Sequence, residues 1–138
     1  MESAKNNQKL KENKWKIITL ILCVGIIVAG LLYYYDLKKI SKEKSQEIAS
    51  DYLRNSPTFK FDGMEDTLKL VETNTMRCPY CWGFVFEFQS RHAGYGNRSG
   101  QILAQVITFH TTRIVVREGE VVSAIMDDKW DIMRQKMI

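Results

Sequence analysis

Residues 82–88, Trp-Gly-Phe-Val-Phe-Glu-Phe, set large rings at Trp82, Phe84, Phe86 and Phe88, with Gly83, Val85 and Glu87 between them. That period of two is the alternation of a β-strand with one apolar face. Buried rings remove about 150–250 Å² each from water, so this face requires a covering layer. The layer lies upstream. From Ser41 to Arg54 (SKEKSQEIASDYLR), Ile48, Ala49, Tyr52 and Leu53 recur at helical spacing, with Ile40 earlier on the same face. Pro57 forbids continuation. Beyond Asp62-Gly63 the period of two returns at Leu68 and Leu70, in the ring stripe, over Ile102 to Phe109, Arg113 to Val116 and Val121 to Met126. Arg117-Glu118-Gly119-Glu120 between two β-branched runs signals a tight hairpin. The expected fold is α+β, with one helix packed on a four- or five-stranded antiparallel meander. The tail Lys129 to Ile138 (KWDIMRQKMI) suggests a short helical face through Trp130, Met133 and Met137.

Ahead of this domain, Ile17 to Tyr35 (IITLILCVGIIVAGLLYYY) runs without a charge. As a helix it spans roughly 28 Å, the thickness of a bilayer core. Trp15 with Lys14 and Lys16 stands at one end, and Tyr33, Tyr34, Tyr35 with Lys38 and Lys39 at the other. Rings and ammonium groups at both ends suit headgroup depth. A cleaved signal peptide has a shorter apolar core, and Leu31, Leu32 and three Tyr carry this run past Val28-Ala29-Gly30. Cys23 follows Leu22 where a lipoprotein site needs a small residue, so it reads as a small apolar membrane residue. The organisation expected is a basic tail over 1–16, a transmembrane helix over 17–35 and a domain over 36–138. Five Lys precede the run and four follow it, which places the N-terminus in the cytoplasm and the domain outside, in a single-pass protein of the cell membrane.

The chain of 138 residues carries a net charge of +4, and all of it lies before Ser41, with seven Lys against three acidic residues. The remaining residues are neutral overall, so the folded part offers nucleic acid no attracting field. Gly83 to Phe88 superficially resembles the aromatic strand of an RNA-recognition motif, but it lacks the leading Lys or Arg and holds Glu87 at an apolar position.

Cys78-Pro79-Tyr80-Cys81 has the letters of a glutaredoxin site. A strand pattern follows where that site needs a helix, and the only other proline, Pro57, lies upstream. In an oxidising compartment the pair forms a local disulfide. His92 and His110 stand too far apart for a zinc finger, so no metal or other cofactor is expected. A thiol-redox or metal role for Cys78 and Cys81 stays as the alternative.

The expected binding surface is Ser90 to Gly100 (SRHAGYGNRSG), where Arg91, His92, Tyr95, Asn97 and Arg98 share eleven residues with three Gly. Glycines admit close backbone approach, and arginines grip carboxylates bidentately. Arg98 in such a connection is expected to stay hydrated, so that Arg98→Ala is near neutral for folding. No helix follows to make a phosphate site. Asp127, Asp128 and Asp131 read as a solvated turn, and no catalytic constellation is legible.

An anchor, a helix of the type IASDYLRNSPTF and then a strand meander resemble small membrane-anchored domains of the PepSY-like and cystatin-like kind. CPYCWGFVFEF followed by RHAGYGNRSGQ also resembles a group of prokaryotic proteins with no assigned activity. The first resemblance implies a non-catalytic binding or regulatory module acting on a peptide or a cell-envelope protein such as a peptidase. Its partners are then the lipid bilayer, through 17–35, and a protein or peptide.

Overall fold

The computed structural model describes residues 2–37 and 40–138, with the side chains of 14–36 and 40–138. The chain divides into two units, Met1–Lys38 and Lys39–Ile138. The first is one helix, α1 (Glu2–Leu37), in which Lys14–Asp36 is long and apolar enough to cross a membrane. Its rings Trp15, Tyr33, Tyr34 and Tyr35 are all exposed. The flanking Lys38 and Lys39, and the side chains of Lys5, Lys9 and Lys11, lie outside the described residues.

The second unit is α+β. Ser41 caps α2 (Lys42–Asn55), its Oγ accepting from Lys44 N at 3.2 Å. Ser56 ends that helix by donating its N–H to Leu53 O and opens α3 (Pro57–Asp62), its Oγ accepting from Phe59 N. Pro57 at the first helical position has the fixed φ that a helix start needs and no N–H to leave unpaired. The expected single helix is thus two, because Pro57 both stops and starts a helix.

Then come β1 (Gly63–Thr75), β2 (Cys81–His92), β3 (Gln105–Arg117), β4 (Glu120–Met126), β5 (Trp130–Asp131) and β6 (Lys136–Met137). They form one antiparallel sheet in sequence order. The meander is as expected, but it has six strands, not four or five. Of the run Ile102 to Phe109 only Gln105 onward is strand, and that part and Arg113 to Val116 belong to one strand, because β-branched Thr111 and Thr112 continue the extended backbone between them. The tail is a small two-stranded closure, not a helix, and Ile132 is its buried residue. Glu118 (φ 50) and Gly119 (φ 86) make the β3–β4 turn, a left-handed pair that matches strand twist.

Phe84, Phe86 and Phe88 lie on the inner face with Ile114, Val116, Ala124 and Met126, against Ala49 and Leu53 of α2. Phe59 of α3 meets Phe88 with ring centroids 4.9 Å apart. The stripe is therefore core, as its period required.

Candidate functional site

β3 outlasts its neighbour. β4 pairs with it only from Thr112, opposite Met126, to Arg117, opposite Glu120. Over Gln105 to Thr111, β2 lies on one side and, among the described residues, no strand on the other. Asp127 closes the end of this gap: its N–H donates to Thr111 O at 2.8 Å, and its Oδ1 accepts from Thr111 N at 2.7 Å. Alternate residues of a strand turn their N–H and C=O to opposite edges. Since Thr111 faces the β4 side, Phe109 turns its own to the open side, and below Thr108 a register shift against β2 interrupts the alternation, with Gln105 set opposite His92.

The side chains there are apolar and exposed: Phe109 is 74% accessible, Ile107 and Val106 each 52%. No charged residue occurs from Ser99 to Phe109. The outer edge of β1 contrasts with this, since it carries Glu65, Asp66, Lys69 and Glu72 and two register shifts. Charges and bulges are how sheets blunt an edge against pairing; the β3 edge carries no charge, and its one register shift against β2 falls between Gln105 and Thr108. On the sheet face beside it, Met64, Arg91, His92, Gln105 and Ile107 line a cleft of about 410 Å³.

The predicted loop residues do not converge. Arg91 and His92 reach this cleft, with Arg91 exposed. Asn97 lies on a different cleft, with Pro57, Lys60 and Phe61, and its Oδ1 accepts from Ser99 N and Oγ. Tyr95 stacks on Trp130, with centroids 5.5 Å apart and planes within 8°. Arg98 is a correction: it is 3% exposed, not hydrated. Its guanidinium donates to Asp62 Oδ1 at 2.5 Å and to the Gly94 carbonyl, and lies 4.9 Å from the Phe61 ring centroid. Asp62 Oδ2 also accepts from the backbone N–H of His92 at 2.8 Å and contacts its Nδ1 at 2.9 Å. Gly96 N donates to Thr58 Oγ1 at 2.7 Å, and at φ 72 it occupies backbone space that favours glycine. Helix α3 thus pins the loop at Thr58, Phe61 and Asp62. The Ser56-Pro57 pair was the signal for it, a cap followed by proline at the first helical position.

A second buried network lies under β3. Ser90 Oγ is 3.1 Å from His110 Nε2, and His110 Nδ1 is 2.7 Å from Asp127 Oδ2, which also accepts from Tyr95 OH at 3.0 Å. These are the residue types of a hydrolytic triad in the opposite sense. Ser90 Oγ donates to His92 O at 2.8 Å, so it accepts from the imidazole, whereas a nucleophile must give its proton to the ring. Ser90 is also fully buried. The arrangement anchors the sheet. Burial alone pushes the Asp127 carboxyl up, but His110, the Thr111 amide and Tyr95 together hold it below the ordinary carboxylate value. Burial and Asp127 push the Tyr95 hydroxyl up to about 12. Asp127 is therefore no plain solvated turn residue.

Cys78 and Cys81 have their sulfurs at bonding distance, with Cα atoms 5.4 Å apart, in the β1–β2 connection. Cys78 is exposed, Cys81 is buried, and β2 rather than a helix starts at Cys81. Among the described residues no group of three His, Cys, Asp or Glu is placed to hold a metal. No protein family, curated protein or solved structure matches the chain at a significant level.

Proposed function

We propose that this chain is a single-pass, membrane-anchored, non-catalytic binding module whose domain takes an extended segment of a peptide or envelope protein along the open edge of β3. The observation that carries it is the unpaired, uncharged stretch Gln105–Phe109 with Ile107 and Phe109 exposed beside it. In strand addition, main-chain hydrogen bonds supply affinity and alternate side chains supply selectivity. Phe109 and Ile107 sit on the face that carries the Met64–Arg91 cleft, which accepts side chains from an added strand. The helix Lys14–Asp36 supports the anchor, and the Lys excess before it supports an outward-facing domain. A helix-on-meander layout also fits a PepSY-like or cystatin-like module that restrains a partner without chemistry of its own.

The test is Phe109→Pro. Two residues from Thr111 in the regular part of the strand, its N–H points to the open edge, so proline removes a donor that β2 does not use. Wild type is expected to recover a protein from solubilised membranes that the folded variant does not, and equal recovery overturns the reading. A reporter fused after Ile138 is expected to be active outside the cytoplasm, and activity only inside refutes the orientation.

A further inference from the structure

Ile40 marks one end of the domain. Only Lys38 and Lys39 stand between it and Leu37, the last residue of α1, and Asp36 closes the stretch that is long and apolar enough to cross a membrane. The four residues from Asp36 to Ile40 reach at most about 14 Å, whatever the direction of the chain, so an anchor at 14–36 keeps Ile40 close to the bilayer surface. Ile40 packs on Gly119 so closely that a Cβ there would overlap its Cδ1. Beside Gly119, Glu118 donates its N–H to Tyr80 O at 3.0 Å. The β1–β2 connection, Met76 to Tyr80, thus shares with the β3–β4 turn the end of the sheet that Ile40 marks. Resting on the reading of Lys14–Asp36 as an anchor, we propose that this connection is a second membrane contact, with Met76 and Tyr80 seated in the lipid headgroup layer and Arg77 on a lipid phosphate.

Every residue from Met76 to Tyr80 is exposed, and together they offer a thioether, a guanidinium, a proline ring and a phenol. These groups suit headgroup depth, where a phenol keeps its ring in apolar surroundings and its hydroxyl in water, and a guanidinium grips phosphate. Tyr80 holds a φ of 51, left-handed space that a bulky residue seldom takes and that Gly or Asn fills more readily. The turn alone gives no reason for a ring there, whereas an interface does. The connection is closed before contact, by Met76 N donating to Cys81 O at 3.2 Å and by the Cys78–Cys81 disulfide, so seating it orders little further chain. On the two connections Arg77 and Arg117 balance Glu118 and Glu120, so the contact rests on the ring, the thioether and one phosphate, and not on a net attracting charge. Phe109 lies eight residues before Arg117, roughly 27 Å along β3, far enough for the open edge to stand clear of the headgroups.

The experiment uses the isotope-labelled full chain in phosphatidylcholine nanodiscs, with and without a lipid carrying a nitroxide on its headgroup, and reads the loss of amide signal near the spin label. Met76, Arg77, Cys78 and Tyr80 are expected to lose signal, as is Asp36, while Val106, Ile107 and Phe109 keep theirs. Raising the salt concentration is expected to leave this loss in place, since no net charge drives the contact. Tyr80→Asn combined with Met76→Gln, in which Asn suits the left-handed turn, is expected to restore the signal at Arg77 and Cys78 and to leave the loss at Asp36 unchanged. Full signal over 76–80 beside a loss at Asp36 overturns the headgroup contact and leaves the anchor standing. Equal loss in the double variant and in wild type overturns it too, because nearness on the tether then explains the signal. Full signal at Asp36 removes the anchor, and the proposal with it.

Discussion

His110 Nδ1 lies 2.7 Å from Asp127 Oδ2, and this contact holds the middle of β3 where β4 stops pairing. His110 is buried between Phe88 and Tyr95, and the Asp127 carboxylate fixes its ring. The same carboxylate takes the Thr111 amide, which marks where the open edge begins.

Asp127→Ala is expected to destabilise the domain by about 2–4 kcal/mol, because His110, Thr111 N and Tyr95 OH all lose their acceptor. Asp128→Asn removes only an exposed charge partner of Arg113 while keeping a side chain suited to the left-handed φ of 53, and is expected to change stability by less than about 1 kcal/mol. Denaturant unfolding of the full chain in detergent compares the two, and equal effects would count against the network.

Arg98→Ala is expected to cost about 2–4 kcal/mol, since it leaves Asp62 short of a buried cation and uncovers Phe61. This replaces the near-neutral outcome expected of a hydrated loop arginine. Phe86→Ala is expected to cost about 3–5 kcal/mol by emptying the core beside α2. Thermal unfolding of both variants checks the pair, and a neutral Arg98→Ala would show that the loop does not depend on Asp62.

The two groups tied to Asp127 set opposite pH limits. The Asp127 carboxyl is lowered in the folded chain, so its contribution is present above the ordinary carboxylate range and is lost as pH falls below it. The Tyr95 hydroxyl is raised from 10.0 to about 12, so its contribution is whole below pH 10.0 and is lost as pH rises toward 12. Tyr95→Phe is expected to reduce the alkaline loss, to which Tyr52, raised by burial and by Asp131, also contributes, and Asp127→Asn to reduce the acid loss, as read by unfolding across pH. An unchanged alkaline limb in Tyr95→Phe would contradict the assignment.

What was legible in the sequence was local. The ring stripe, α2 and the Glu118-Gly119 turn each declare themselves within a dozen residues, through period and turn chemistry. The networks were not legible, because Asp62 stands 30 residues from His92 and Asp127 stands 17 from His110, and only the folded sheet joins them. Arg98 misled for the same reason, since its Gly-rich surroundings describe a turn and not what covers it. The open edge lay hidden because Thr111-Thr112 looked like a break, whereas the strand runs on past the end of β4.

Replacing Cys78 and Cys81 by Ser is expected to leave the fold intact and to lower stability by about 2 kcal/mol, the loop-entropy contribution of so short a closure. Calorimetry with and without reductant reads it. Loss of the fold would instead give this pair a larger role than a local staple.

The central claim is that β3, and not β1, is the edge that receives a strand. A photo-crosslinking phenylalanine analogue placed at Phe109, and separately at Lys69 on β1, tests it in the full chain in its native membrane. The account predicts protein adducts from position 109 and none from position 69. Adducts from position 69 alone, or from neither position, would contradict it.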